Sequence, residues 1–169
     1  MSLPTQIDPR KLALQGMALE GVIDVEDLTR LSDSVEAITK AAKVSIQFSL
    51  DESRQPMVTG VASVCVDVIC QRCLDIMNIE IEAAIALQVI GCEAHIANVA
   101  PDYEPWIVVD KIADLDVVIE DELLLALPIV NYHKIGECTG SAFYEKADTN
   151  LEETTIDSPF SVLQQLKSQ

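Results

Sequence analysis

The chain has little with which to grip nucleic acid: 4% of its 169 residues are aromatic, and Lys and Arg number 11 against 28 Asp and Glu. The formal charge of −17 repels a polyphosphate backbone, because sequence-independent RNA affinity comes from counterion release by Lys and Arg. Extensive direct RNA binding is therefore disfavoured. Hydrophobic residues make up 49% of the chain, yet no stretch reaches the ~18 uncharged apolar residues that a membrane helix needs, and neither a membrane span nor a membrane partner is expected. The opening MSLPTQIDPRK lacks a basic segment followed by an apolar one, so nothing marks secretion. A cytoplasmic setting is the expectation. Six glycines stand singly and form no phosphate-cradling loop. The two histidines, His95 and His133, lie in no recognisable nucleophile motif, so Ser or Cys catalysis lacks its base.

Five cysteines are present: Cys65, Cys70, Cys73, Cys92 and Cys138. In a reducing compartment they read as buried hydrophobes, metal ligands or catalytic thiols rather than disulfides, and their odd number agrees. The acidic residues are unevenly spread. Residues 101 to 157 hold 14 of the 28 acids against Lys111, Lys134 and Lys146, a net of −11. That third suits a basic protein partner; the plainer reading is that it keeps an apolar-rich domain in solution.

A chain of this length fits one domain. The expected organisation is a single α+β domain over 1–138, an acidic flexible loop over 139–157 and a short C-terminal helix or tail over 158–169. In the tail, Ser158-Pro159 opens a stripe of Phe160, Leu163 and Leu166. Val25, Leu28, Leu31, Val35 and Ile38 recur at helical steps behind Asp24, which predicts a helix near 25–40. Residues 12 to 23 are ambiguous, with a strand favoured near 17–23. Val44, Ile46, Phe48 and Leu50 alternate with polar neighbours, which predicts a half-buried strand over 43–50 with Phe48 inside. The same alternation recurs over 57–70 and 76–90, so three strands with short turns form an antiparallel meander. Trp106, Val108 and Val109 suggest a short further strand, and Leu115 to Leu127, ended by Pro128, a second main helix near 115–127.

The segment with most chemical content is Cys70-Gln71-Arg72-Cys73, placed at the turn between two predicted strands. Two residues between cysteines in a tight turn let both sulfurs face one ion at about 2.3 Å. His133 and Cys138 offer two further ligands, so Cys70, Cys73, His133 and Cys138 are candidate ligands of a closed, structural zinc site. The alternative is three reduced thiols and a surface histidine that never share a metal. Cys65 and Cys92 read as packing residues, and His95 as solvent-facing. Enzymatic readings fit poorly. A zinc deaminase needs His-x-Glu and Pro-Cys-x-x-Cys elements, which are missing, and a thioredoxin-like pair needs a helix after its first cysteine, where a strand is predicted here.

Taken together, Pro4 to Arg10, the Cys70–Cys73 turn, Tyr103-Glu104-Pro105, the block Glu120 to Pro128, His133, Cys138 and the closing Ser158 to Lys167 resemble the YceD family, the large ribosomal RNA subunit accumulation proteins, along nearly the whole chain. The resemblance implies a non-enzymatic role in the build-up of bacterial large-subunit ribosomal RNA. Family members frequently carry several cysteines after the leucine-proline block, whereas here only His133 and Cys138 follow it. Two modes of action come into view. One is an adaptor that holds a basic ribosomal or rRNA-processing protein, with no small-molecule substrate. The other is direct RNA contact through a basic patch of Lys40, Lys43, Arg54 and Arg72.

Overall fold

The alternating pattern read above is realised as a six-stranded sheet with helices on one face. The computed structural model describes residues 2–134 and 136–139. Its elements are β1 (Gln6–Ile7), α1 (Pro9–Gln15), β2 (Ala18–Ile23), α2 (Thr29–Ser34), β3 (Ala37–Ile38), β4 (Ala42–Leu50), β5 (Pro56–Ile69), β6 (Ile76–Ile90), β7 (Glu104–Ile107), β8 (Ala113–Asp114) and α3 (Leu115–Leu125). The main sheet runs β2-β4-β5-β6-β7, and β1 and β8 form a separate two-stranded pair. The β4-β5-β6 meander is antiparallel as expected, while β7 runs parallel to β6. The class is thus α+β with a mostly antiparallel sheet. The expected acidic loop and C-terminal helix fall outside the described residues, Thr139 apart.

Alternation decides which face is covered. Val44, Ile46 and Phe48 of β4, Val64, Val66 and Val68 of β5, and Ile81, Ala83, Ile85 and Leu87 of β6 are buried, and Leu28, Leu31, Leu115, Ile119 and Leu123 close over them. Phe48 is fully buried and sits opposite Val58 across the ladder. The intervening Lys43, Ser45, Gln47, Glu80 and Glu82 remain exposed, as befits an antiparallel sheet with one face in water.

The expected helix near 25–40 is corrected: Val25–Asp27 is a single 3₁₀ turn and α2 stops at Ser34. Tertiary pairing explains the break. β6 pairs with β5 from Met57 to Ile69, but β4 reaches only from Pro56 to Ser63. The far end of β5 is left with open hydrogen-bonding groups on one edge, which are costly to leave unpaired. Residues 36–39 fill that edge. Ala37 and Ile38 pair with Asp67 and Val66, and the N–H groups of Glu36 and Thr39 donate to the Asp67 and Cys65 carbonyls.

Asp24 and Asp114 cap no helix with their side chains. The α2 start is instead capped by a residue from elsewhere in the chain. Glu120 of α3 is 3% exposed, and its Oε1 accepts the N–H groups of Arg30 at 2.7 Å and Leu31 at 3.0 Å. Its Oε2 accepts Arg30 Nε at 2.8 Å. An acid inside the expected acidic surface is therefore a buried clamp between two helices.

α1 adds a helix where the sequence reading was ambiguous. Asp8 accepts the Lys11 N–H and Pro9 occupies the first turn, and Gly16, at φ 61°, closes the other end in the left-handed conformation that glycine adopts without strain. Residues 18–23 follow as the expected strand.

Candidate metal centre

β5 and β6 join through a turn at Cys70–Asp75. Cys70 N–H donates to the Asp75 carbonyl, and Leu74 N–H to the Cys70 carbonyl. Leu74 holds φ at 63°, and the long flanking strands, paired from Met57–Gln88 to Ile69–Ile76, fix the turn in space. The segment after α3 comes back over this turn. Gln71 N–H donates to the Asn131 carbonyl at 2.8 Å, and the Arg72 guanidinium lies 4.9 Å from the centre of the Tyr132 ring, within cation–π range. Thr139 donates to Asp75 Oδ2 at 3.0 Å.

Between these ties the four predicted ligands meet. The ligand atoms of Cys70, Cys73, His133 and Cys138 all lie within 4.8 Å of one another. Cys70 Sγ is 3.9 Å from Cys138 Sγ, and Cys73 Sγ is 3.3 Å from His133 Nδ1. A tetrahedral zinc ion with ordinary bond lengths sets sulfur–sulfur edges of about 3.8 Å and sulfur–nitrogen edges of about 3.6 Å. The Cys70–Cys138 and Cys73–His133 edges lie within about 0.3 Å of those values, and the cluster as a whole is somewhat wider, within 4.8 Å. They do not suit a disulfide, whose sulfurs stand about 2.05 Å apart. Cys70 and Cys138 are buried and Cys73 and His133 half-buried, so the cluster is shielded by its own polypeptide. Gly136, at φ 92°, and the Glu137 N–H to Lys134 carbonyl bond turn the chain so that Cys138 returns to the site.

Electrostatics favour a thiolate at one ligand. Burial pushes the Cys70 thiol up, but the backbone N–H groups of Cys73, His133 and Arg72 converge on its sulfur and bring it down to about 5. Cys73 moves the other way, raised by burial first and then by the neighbouring thiols of Cys70 and Cys138. The Cys70 sulfur is thereby primed to lose its proton, while Cys73 is held back from losing its own. These four residues could bind a metal such as zinc.

The apolar surface around the cluster is thin. Ile129, Val130 and Tyr132 are 94%, 45% and 50% exposed, so little core burial holds the returning segment to the sheet. Polar ties from Gln71, Arg72 and Asp75 hold that segment to the turn.

The remaining sequence candidates separate. Cys65 is half-buried within β5. Cys92, expected to pack, is exposed instead, because the chain leaves the sheet after Ile90 and enters the 3₁₀ segment Glu93–Asn98. His95 is exposed as expected, with its Nδ1 3.8 Å from Cys92 Sγ. Arg54 and Arg72 do not share a patch. They stand at opposite ends of the 14-residue strand β5, roughly 45 Å apart at about 3.3 Å per residue. Among the described residues, no helix is long and apolar enough to cross a membrane.

Comparison with known proteins adds an independent line. No solved structure matches the chain. The chain is 29% identical over 170 residues to the large ribosomal RNA subunit accumulation protein YceD of Haemophilus influenzae, an alignment that covers 99% of this chain and 97% of that protein. The family model described as "Large ribosomal RNA subunit accumulation protein YceD" matches residues 58–167, from β5 through the ligand cluster and beyond. The chain belongs to the YceD family.

Proposed function

We propose that this chain is a non-enzymatic accessory factor in the accumulation or processing of large-subunit ribosomal RNA, acting through contacts with a basic protein. The carrying observation is the closed character of the cluster. Three sulfurs and one imidazole nitrogen already supply four ligands, whereas catalytic zinc keeps a position open for water or substrate. Zinc bound there supplies cross-linking rather than Lewis-acid chemistry. Cys70 and Cys73 anchor it to the hairpin turn, and His133 and Cys138 bring the segment after α3 onto that anchor. Residues 1–138 then behave as one domain. The acid-rich region 101–157 is the surface for a basic ribosomal or rRNA-processing protein, since charge complementarity steers encounter and sets register. Of its described members, Asp102, Glu104, Asp110, Asp114, Asp121 and Glu137 are exposed.

The test is affinity capture from a nuclease-treated lysate with the full chain as bait. At ~50 mM salt a basic large-subunit protein or processing factor is expected in the eluate, and at ~500 mM it is lost, because screening shortens the range of exposed charges. Capture that disappears with nuclease treatment, or that ignores salt, would overturn the adaptor reading.

A further inference from the structure

A concavity of the described surface lies far from the Cys70, Cys73, His133 and Cys138 cluster, at the other end of the β5-β6 ladder. Its volume is about 850 Å³, within the range of small-ligand sites. Arg10 and Arg54 both line it, together with Gln55, Gln88, His95 and Asn98. Two arginines converging on one cleft are unexpected in a chain with a net charge of −17.

Among the described residues neither arginine has a carboxylate partner, and the ion pairs are those of Arg30 with Glu120 and Asp121. Arg10 donates only to backbone carbonyls, from Nη1 to Asp110 at 3.1 Å and from Nη2 to Val108 at 2.6 Å and Ile90 at 3.3 Å. Those bonds aim the guanidinium while leaving its charge uncompensated. They also leave two of its five N–H donors, at Nε and Nη1, without a protein acceptor among the described residues. Arg54 is exposed on the β4-β5 turn with φ at 61°. The single acid on the wall, Asp51, is engaged by its own turn, where its Oδ1 accepts the Gln55 N–H at 2.6 Å.

The cleft is built, and not merely charged. Gln88 is 4% exposed yet lines it. Its Oε1 accepts the Ala100 N–H at 3.0 Å, and its amide donors have no protein acceptor among the described residues. That bond fixes the amide on the wall of the cleft, and its N–H groups are reached by solvent, so a ligand acceptor can take the place of water there. Leu14, Leu50 and Pro56 add apolar wall on the same cleft.

The geometry points to a nucleoside 5′-phosphate as the ligand of this cleft. Guanidinium groups are suited to the phosphate, the amides of Gln88, Gln55 and Asn98 to polar edges of a base, and the leucines and proline to its faces. Charge selects a small ligand over RNA. A mononucleotide brings about two negative charges onto two arginines, whereas a strand must run its further phosphates over a surface of the same sign. The site is independent of the metal cluster and of any protein partner.

The experiment is a titration of the isotope-labelled full chain, followed by amide proton–nitrogen spectra, with adenosine and uridine 5′-monophosphates, the parent nucleosides and inorganic phosphate as probes. Saturable shifts are expected at Arg54, Gln88, Gly91 and Asn98 with a monophosphate, at least tenfold weaker with its nucleoside or with phosphate alone. Arg10 also ties α1 to the sheet, so the charge test rests on Arg54→Gly, which removes the side chain at a φ that glycine tolerates. That variant should melt as the parent does and bind the monophosphate at least tenfold more weakly. No saturable shift, or unchanged affinity in Arg54→Gly, overturns the assignment. A 5′-phosphorylated ten-nucleotide RNA that binds tenfold more tightly than the mononucleotide overturns it in favour of RNA.

Discussion

Glu120→Ala is expected to lower the unfolding free energy by about 3 kcal/mol, at the lower end of what breaking a buried charge pair costs. The N–H of Arg30 loses an acceptor at 2.7 Å and that of Leu31 one at 3.0 Å, and Leu31 is fully buried, so its N–H has no easy route to water. Donors of this kind cost about 1 to 3 kcal/mol each when stranded. The Arg30 side chain is 46% exposed and recovers hydration, which keeps the total from the top of the range. Asp121→Asn is the control. Asp121 also meets Arg30, but its side chain is 50% exposed, and pairs of that kind are worth under about 1 kcal/mol. Denaturant titration of both variants distinguishes the roles. Equal losses would mean that Glu120 contributes charge alone and caps nothing.

Removal of the metal is expected to act locally first and globally second. With Ile129, Val130 and Tyr132 largely exposed, the segment after α3 has little apolar burial to hold it without the cluster. Chelation of the purified chain should therefore speed amide hydrogen exchange at Asn131–Cys138 by about 100-fold, the signature of local opening. Exchange in β5 and β6 away from the turn should change far less. The midpoint of thermal unfolding should fall by about 10 °C, corresponding to a loss on the order of 3 kcal/mol for a chain of this size. Cys138→Ser should reproduce both effects without chelator. Exchange in 131–138 that is indifferent to chelator would mean that hydrogen bonds and the Arg72–Tyr132 contact already suffice.

These two sites show where the sequence was legible. The meander was readable because alternation at β4, β5 and β6 reports burial on one face, a local property of each strand. Cys70, Cys73, His133 and Cys138 could be grouped as candidates from residue type and from the placement of the first two on a turn, and the structure brings their ligand atoms within 4.8 Å of one another. The helix expected near 25–40 failed for a reason no local window contains. Val35 and Ile38 continue the helical period, but the unpaired end of β5 takes residues 36–39 as an edge strand. Glu120 was hidden in the same way, because an acid in an acidic third looks solvated until its position over the start of α2 is known. α1 carries plain local signals at its ends: Asp8-Pro9 and Gly16 are its cap, first turn and stop. The cleft with Arg10 and Arg54 joins residues from α1, β4, β5, β6 and the 3₁₀ segment Glu93–Asn98, so neither spacing nor composition could announce it.

If Cys70, Cys73, His133 and Cys138 hold zinc as proposed, the site is closed and structural. X-ray absorption at the zinc edge of freshly purified full-length chain tests this directly. The prediction is about one zinc per chain, with three sulfur neighbours near 2.3 Å and one nitrogen near 2.0 Å. Absence of zinc under reducing, chelator-free purification would contradict it, as would a shell with fewer sulfurs and a bound water.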